Sequence, residues 1–290
     1  MDPAWLEQPA LLIPLAAVLG LLVGSFLNVV ILRLPRRLEH DWRAQALDIL
    51  GNAPVETDPP PPDLVFHGSH CVHCKHALTP LENIPLLSYL FLGGRCRYCK
   101  AHISWQYPLV ELLSALACAI VAWKFGFGWP LLAGLAFTWI LIAASGIDAR
   151  TQLLPDQLTL PLLWLGLLLS LIPVFVGPSE AILGAAIGWT SLWLVFWLFK
   201  WFTGKEGMGY GDFKLLGALG AWMGATALLP VILLSSLVGA LVGGIALFVG
   251  GKDRSTPIPF GPFIAMAGWV WFVFGTELSL LYERWFLIGH

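Results

Sequence analysis

The sequence predicts an all-α polytopic membrane protein with about eight transmembrane helices and a cytoplasmic zinc-binding loop domain. Of its 290 residues, 58% are hydrophobic and only 12% are charged, whereas soluble domains carry about 25% charged residues. The apolar residues are grouped in runs close to the length of about 20 residues that a helix needs to cross a bilayer. The net charge of −2 indicates no strongly basic surface, which excludes nucleic acid as a partner.

Eight apolar runs are expected to form the transmembrane helices. They lie at about 10–32, 105–124, 129–147, 157–176, 180–202, 213–227, 229–250 and 261–282. The first run is too long for a signal peptide and ends at Arg33, so we expect it to be retained. The sixth and seventh runs are divided only by the short break at Gly220–Pro230, where a turn is expected.

The distribution of positive charge predicts the orientation of these helices. If the N-terminus lies outside the cytoplasm, only two of the 16 Lys and Arg residues, Lys124 and Arg284, fall in outside loops. Cytoplasmic loops carry an excess of Lys and Arg, so this arrangement is strongly favoured. Both termini are therefore expected outside, with most of the polar sequence in the cytoplasm.

Three segments are expected along the chain. They are the first transmembrane helix (1–32), the cytoplasmic loop domain (33–104) and a seven-helix transmembrane core (105–290). In the loop, the basic cluster Arg33–Arg37 is expected to precede an amphipathic helix at Trp42–Leu50 and an extended proline tract at Pro59–Pro62. The apolar stretch Ile84–Leu92 is too short to cross the bilayer. We expect it to pack on the loop domain or to lie at the membrane surface.

Four cysteines in the loop have the spacing of a zinc site. Cys71-x2-Cys74 and Cys96-x2-Cys99 are typical of two zinc knuckles, and a reducing cytoplasm disfavours disulfides. Four thiolates would complete a tetrahedral site with no open position, which indicates structural rather than catalytic zinc. The four histidines at positions 67–76 leave open that one of them replaces a cysteine. The metal would stabilise a loop that has little core of its own.

Four carboxylates lie in or beside the expected spans, and each has a structural interpretation. They are Glu111, Asp148, Asp156 and Asp212. Asp156 and Asp212 each begin a span, where aspartate is a favoured N-cap. Glu111 would be a buried carboxyl that holds helices together. Asp148 ends the third span, where its charge opposes the helix dipole, although an ion pair with Arg150 remains open.

Glycines distinguish Asp212 from a simple cap. Gly207, Gly209 and Gly211 precede it, and they would permit unusual backbone angles and the close approach of another chain. The third span ends, and the sixth begins, on the cytoplasmic side, so Asp148 and Asp212 are expected at one membrane level. Two converging carboxyls indicate aspartyl protease chemistry, in which one takes a proton from water and the other donates one. Because Asp212 begins a helix, we expect it to be the base and Asp148 the proton donor.

Two other classes of function are compatible with parts of the sequence. A proton-coupled transporter could use Asp148 and Asp212 as a relay, although its carboxyls would be expected nearer the bilayer midplane, in broken helices of repeated halves. A non-enzymatic scaffold could bind partners through the cysteine loop while the acids only cap helices. The sequence contains no Gly-x-Ser-x-Gly elbow and no HExxH motif, which disfavours other hydrolase chemistry.

Several motifs resemble those of the type IV prepilin peptidases, which are membrane aspartyl proteases with a GxGD motif. They are Gly209-Tyr210-Gly211-Asp212-Phe213-Lys214, Asp148 with Leu154-Pro155-Asp156-Gln157-Leu158-Thr159, Gly24-Ser25-Phe26-Leu27-Asn28-Val29-Val30 with Arg33-Leu34-Pro35, Asn83-Ile84-Pro85, Gly94–Cys99 and Tyr107–Glu111. The resemblance extends from the first span to the last. With its cysteine loop, the chain is similar to the bifunctional leader peptidase/N-methyltransferases of Gram-negative bacteria.

This resemblance implies a catalytic pair, Asp148 and Asp212, and zinc bound by the four loop cysteines. It implies that type IV prepilins and type II secretion pseudopilins are cut after the glycine of their leader, at the cytoplasmic face of the inner membrane. The new N-terminal residue would then be methylated with S-adenosylmethionine. The protein would be multi-pass, in contact with lipid, and its termini periplasmic. No GxGxxG motif follows a strand, so the methyl-donor site is not assigned to any residue.

Overall fold

The computed structural model describes residues 8–51, 60–250 and 259–286. Within these ranges the chain forms nine α-helices, two short 3₁₀ turns and no β-strand. The helices are α1 (Pro9–Ile49), α2 (Leu87–Phe91), α3 (Gln106–Phe125), α4 (Trp129–Thr151), α5 (Asp156–Ser170), α6 (Pro178–Thr203), α7 (Tyr210–Met223), α8 (Leu228–Gly250) and α9 (Gly261–Phe286). The chain divides into two compact units, Met1–Leu131 and Leu132–His290. The first unit includes α3 as well as α1 and the loop, and the division into three segments stays a prediction.

Eight of these helices occupy the eight predicted apolar runs. Six of them, α1, α3, α4, α6, α8 and α9, are long and apolar enough to cross a membrane. The other two, α5 and α7, have 15 and 14 residues, which at about 1.5 Å per residue is shorter than the roughly 30 Å hydrocarbon core. The protein is a multi-pass helical membrane protein, as predicted. Six of the described helices have the length and composition to cross a membrane, and the count of eight crossings stays a prediction.

The first helix is longer than the sequence predicted. α1 runs without a break for 41 residues, about 60 Å at 1.5 Å per residue, or twice the hydrocarbon thickness. The helix therefore does not end near residue 32. Trp42–Ile49 is helical, as predicted, but as the last part of α1 rather than as a helix of its own. Proline fixes φ near the helical value and removes only one N–H donor, and Pro35 lies inside the continuous helix. The residues after it are mostly good helix formers.

The extension of α1 binds the loop that follows it. The Arg33 guanidinium donates to the backbone carbonyls of Asp63, His67 and Gly68 at 2.7, 2.8 and 3.2 Å. The Asp63 carboxylate accepts hydrogen bonds from the backbone N–H groups of the next residues, including Val65 at 2.9 Å. The His67 ring, together with these N–H groups, lowers the pKa of Asp63 to about 2. The basic cluster thus orders the segment that leads into the cysteines.

Within the first unit, α1 and α3 pack closely because glycine faces α3. A side-chain carbon on Gly20 would lie 2.7 Å from the Ser114 carbonyl oxygen, and one on Gly24 would lie 2.8 Å from Glu111 Cα. Small residues permit such close contact between membrane helices. The buried Asn28 side chain also joins the two helices, donating to the carbonyls of Gly24 at 3.3 Å and Tyr107 at 3.1 Å.

The second unit is built around α7. This helix is buried over almost its whole length, from Asp212 to Trp222, and it contacts α5, α6, α8 and α9. Trp222 packs on Phe137 of α4 with ring centroids 4.8 Å apart, and its indole N–H donates to the Leu162 carbonyl of α5 at 2.8 Å. A helix that is apolar on all sides is stable when protein surrounds it, so α7 need not span the bilayer.

The break predicted between the sixth and seventh runs falls at Gly224. Its φ of +78° ends α7, and a left-handed residue of this kind favours glycine. A 3₁₀ turn, Ala225–Ala227, leads from there into α8.

Several sequence-based expectations concern residues outside the described ranges. They are Pro59 in the proline tract, Lys252 and Arg254 in the charge count, and the two chain ends.

Candidate active site and metal centre

Asp148 lies in the last turn of α4, at the place where the sequence predicted it. Asp148 is buried, with only 5% of its surface exposed. Carboxylate Oδ2 accepts a buried hydrogen bond from the backbone N–H of Gly261, the first residue of α9, at 3.0 Å. Because Asp148 lies at the end of its own helix, the sequence predicted no helix N-terminus near it. In the structure its carboxylate binds the N-terminus of α9.

Asp212 lies in the first turn of α7 and is 6% exposed. The prediction that it is the N-cap is wrong, because Gly209 is the N-cap and Asp212 is three residues further on. From that position its Oδ2 accepts a hydrogen bond from the Gly209 N–H at 3.3 Å. An acidic residue at the third helical position commonly bonds back to the N-cap backbone in this way.

The fold brings Asp148 and Asp212 together within the second unit. The two carboxyls are close enough to interact electrostatically. Leu154 packs beside the start of α7, which carries Asp212, and beside the start of α9, which binds Asp148. A side-chain carbon on Gly211 would lie 2.5 Å from Leu154 Cβ, and one on Gly261 would lie 2.9 Å from Leu154 Cδ1. Each carboxyl therefore accepts one backbone N–H at the start of a helix, and Leu154 lies between the two starts.

The glycines before Asp212 matter because they lack a side chain, not because they adopt unusual backbone angles. The prediction of unusual angles at Gly207, Gly209 and Gly211 is wrong, because none of them has a positive φ. Two of them have close neighbours within the protein, since Gly211 contacts Leu154 and a side-chain carbon on Gly207 would lie 2.9 Å from Phe199. The close approach of another chain stays a prediction. At Gly209 the nearest atom, Asp212 Oδ2, would be 3.9 Å away.

The prediction that Asp156 is the N-cap of α5 is wrong. Pro155 is the N-cap, and the side chain of Asp156 makes no capping hydrogen bond. Its carboxylate instead forms an ion pair with the Lys214 ammonium of α7. The pair joins the start of α5 to the turn of α7 that follows Asp212.

Glu111 lies in the first unit and is buried, 7% exposed. Its Oε2 accepts a hydrogen bond from the backbone N–H of Leu86 at 2.8 Å. Leu86 has a φ of +57°, a value that is unfavourable for leucine. Glu111 thus holds a strained turn of the loop against α3, a structural role close to the one that the sequence indicated.

The four loop cysteines come together in the first unit. Their sulfur atoms all lie within 4.8 Å of one another, with Cys71 and Cys99 Sγ 3.8 Å apart and Cys74 and Cys96 Sγ 4.0 Å apart. Sulfurs bound to one tetrahedral zinc at about 2.3 Å are about 3.8 Å apart, whereas those of a disulfide are about 2.05 Å apart. The donor set therefore fits zinc, and the cluster can hold it.

The two cysteine pairs repeat one backbone pattern, which the sequence analysis did not detect. The N–H of Cys71 donates to the carbonyl of His76, and that of Cys96 donates to Ala101, both at 2.9 Å. Lys75 and Lys100, which directly follow the pairs, have φ values of 60° and 59°. Among the described residues the metal-binding cluster contains no histidine. His76 instead packs on the Tyr98 ring, with centroids 3.6 Å apart.

A multi-pass helical protein with two buried, neighbouring carboxyls and a four-cysteine cluster has the features of a membrane-embedded peptidase. Residues 18–125 match the Bacterial Peptidase A24 N-terminal domain, and residues 135–244 match the Type IV leader peptidase family. The chain belongs to the type IV leader peptidase family.

Curated relatives named prepilin leader peptidase/N-methyltransferase align along almost the whole chain. The protein of Xanthomonas campestris is 56% identical over 97% of this chain and 98% of its own length. That of Pseudomonas aeruginosa is 53% identical over 95% of both chains, and that of Aeromonas hydrophila is 51% identical over 96% and 95%. No solved structure matches the chain.

Proposed function

We propose that the chain cleaves the leader peptide of type IV prepilins and then N-methylates the new N-terminal residue. The observation that supports the cleavage reaction is that Asp148 and Asp212 lie close enough to interact electrostatically. Each is buried and each accepts a backbone N–H. Relatives that share about half of its residues carry the name of this bifunctional enzyme. Both activities are therefore proposed for one chain.

Asp148 and Asp212 would cleave the peptide bond as a general acid–base pair. One carboxylate takes a proton from water while the water oxygen attacks the scissile carbonyl, and the other carboxyl donates its proton to the carbonyl oxygen. Collapse of the gem-diol intermediate breaks the C–N bond. The carboxyl that took the proton of the water donates it to the departing amine, and the other carboxylate takes a proton from the gem-diol, so that both groups return to their starting states. The position of Asp212 at a helix start does not distinguish it from Asp148 as the base, because both carboxyls accept an N–H at a helix start.

Methyl transfer would use S-adenosylmethionine, whose sulfonium supplies the methyl group to the new α-amine. No residue is assigned to its binding. Zinc on the four loop cysteines would be structural, because four thiolates leave no open coordination position. The four cysteines would hold the loop in one conformation around the metal.

We infer a location from the family and from the distribution of charge. The protein would lie in the bacterial inner membrane, in contact with lipid, with both termini periplasmic and the active site facing the cytoplasm. Prepilins and type II secretion pseudopilins would be its substrates, since a short basic leader in the cytoplasm would place their cleavage site at that face. Nucleic acid is not expected to bind. The proton-coupled transporter is disfavoured, because the family assignment supports a peptidase.

The decisive experiment replaces each aspartate with its amide. Asp148→Asn and Asp212→Asn keep the shape of the carboxyl but remove its acid–base chemistry, so each should reduce prepilin cleavage by at least about 100-fold. The measurement is the rate of leader removal by purified enzyme, with the thermal unfolding midpoint in detergent as the test of folding. Glu180→Gln, the same change at an exposed position in the first turn of α6, should cleave normally. Near-normal cleavage by either aspartate variant would show that the pair is not catalytic.

A further inference from the structure

We propose that Gly261, the first residue of α9, is a positioning residue for Asp148. Its backbone N–H holds Oδ2 of the carboxyl, and the absence of a side chain lets α9 begin against that carboxyl. The proposal rests on the proposed role of Asp148 in cleavage and extends the site to a helix that the sequence analysis did not connect with it.

The hydrogen bond uses a donor that the helix itself does not need. The first N–H groups of a helix have no acceptor within it, and that of Gly261 lies buried, 3.0 Å from Asp148 Oδ2. The χ2 torsion of aspartate is broad, so a carboxyl at the end of α4 could otherwise turn. One fixed N–H donor sets the plane of the group and therefore the direction of its second oxygen.

There is no room for a side chain at this position. A Cβ on Gly261 would lie 2.7 Å from Asp148 Oδ2 and 3.1 Å from its Cγ, closer than the about 3.3 Å of the shortest common carbon–oxygen contacts. It would also lie 2.9 Å from Leu154 Cδ1. Gly261 is not among the glycines with positive φ, so close contact, rather than backbone angle, requires glycine here.

The test is Gly261→Ala in the full-length purified enzyme, measured with a prepilin substrate. The added methyl group should displace the carboxyl and lower kcat by about 100-fold, the effect that a displacement of about 1 Å can have, while KM changes little. Gly177→Ala is the matched control. Gly177 also stands at the start of a helix of the second unit, as the N-cap of α6, and no atom lies within 4 Å of the carbon that would be added.

A second pair of variants separates Asp148 from Leu154 as the group that the methyl displaces. Leu154→Val removes the Cδ1 atom that would touch the new carbon, so the double variant Gly261→Ala/Leu154→Val should stay as slow as Gly261→Ala. Recovery of kcat in the double variant, compared with Leu154→Val alone, would mean that the defect lies in packing on Leu154. That result would overturn the positioning role.

Replacing residue 261 with glycolic acid gives a test without added bulk. The resulting backbone ester lacks the N–H but has no side chain, and it should lower kcat by about tenfold, as expected for one hydrogen bond to a charged group. This variant serves also if Gly261→Ala has a strongly lowered thermal unfolding midpoint in detergent and so fails the folding test. Normal kcat in the ester variant would overturn the proposal.

The outcomes distinguish this inference from the proposed function. If Asp148→Asn cleaves normally, the catalytic pair is wrong and the role of Gly261 falls with it. If Asp148→Asn is inactive while folded Gly261→Ala and the ester variant are both fast, only the positioning role is wrong.

Discussion

At the scale of single residues, Gly209 and Gly211 lie two positions apart at the start of one helix and differ in the room around them. A side-chain carbon on Gly211 would lie 2.5 Å from Leu154 Cβ, whereas at Gly209 the nearest atom would be 3.9 Å away. Gly209 has φ −85° and ψ 153°, angles that any residue adopts.

We therefore expect Gly211→Ala to lower the cleavage rate strongly and Gly209→Ala to leave it close to normal. In Gly211→Ala the first turn of α7 must move away from Leu154, and Asp212 moves with it, so a loss of about 100-fold is expected. Cleavage rates of the two variants, each measured below its thermal unfolding midpoint in detergent, provide the comparison. Equal rates for the two would contradict the steric explanation.

The sequence predicted Asp148, Asp212 and the four loop cysteines as site residues because the carboxyl and thiol side chains and their spacing are themselves the signal. It did not identify Gly261 or Leu154. Gly261 acts through a backbone N–H, which every residue except proline has, and its partner is 113 positions away. A glycine between Phe260 and Pro262 at the start of the last span was the available signal, and it pointed only to a helix start.

At the scale of helices, the contact of α6 with α7 depends on backbones that touch. A carbon added to Gly184 would overlap the Gly220 carbonyl oxygen, and one added to Gly220 would overlap that of Gly184. One turn further on, a carbon on Gly188 would lie 2.6 Å from the Leu216 carbonyl oxygen. Because α7 carries Asp212, the packing of this pair of helices fixes half of the candidate site.

Gly184→Ala should destabilise the second unit by about 1–3 kcal/mol, the usual cost of overpacking a tight core. The measurement is the thermal unfolding midpoint in detergent, followed by cleavage at a temperature where the variant is folded. Gly244→Ala in α8, where no atom lies within 4 Å, is the matched control. An unchanged midpoint for Gly184→Ala would show that the two helices can separate without cost.

The sequence predicted the position of every membrane helix but not the length of α1 or the burial of α7. Hydropathy falls at Arg33 because charged residues follow the apolar run, whereas the helix itself continues past Pro35 to Ile49. α7 is as apolar as a transmembrane span, so only its contacts with α5, α6, α8 and α9 show that protein rather than lipid covers it.

At the scale of the whole molecule, the cysteine cluster and the carboxyl pair belong to different compact units. The contacts that order the loop, from Arg33 to the cysteines, are all within the first unit. Those that hold Asp148 and Asp212 are all within the second. The cysteine cluster and the carboxyl pair can therefore be disturbed separately.

We expect the cysteine loop to serve methyl transfer more directly than cleavage, so removal of zinc by a chelator should abolish methylation before it affects cleavage. Without metal the four sulfurs are no longer bound to one centre and the loop loses this cross-link, while the contacts of the second unit remain. Zinc content, protease sensitivity of the loop and the two activities would be measured on the same sample. Cys118→Ala, which changes a cysteine of α3 outside the cluster, should keep its zinc. Loss of cleavage ahead of methylation would contradict the prediction.

The contact between Gly261 and Asp148 also has a consequence for the order of synthesis. The ribosome adds about 5–20 residues per second, so α9 begins on the order of ten seconds after α4 is complete. A nascent chain that has already inserted α4 and α7 carries both carboxyls but lacks the amide that fixes one of them. We therefore expect full proteolytic activity only once the last helix has been made.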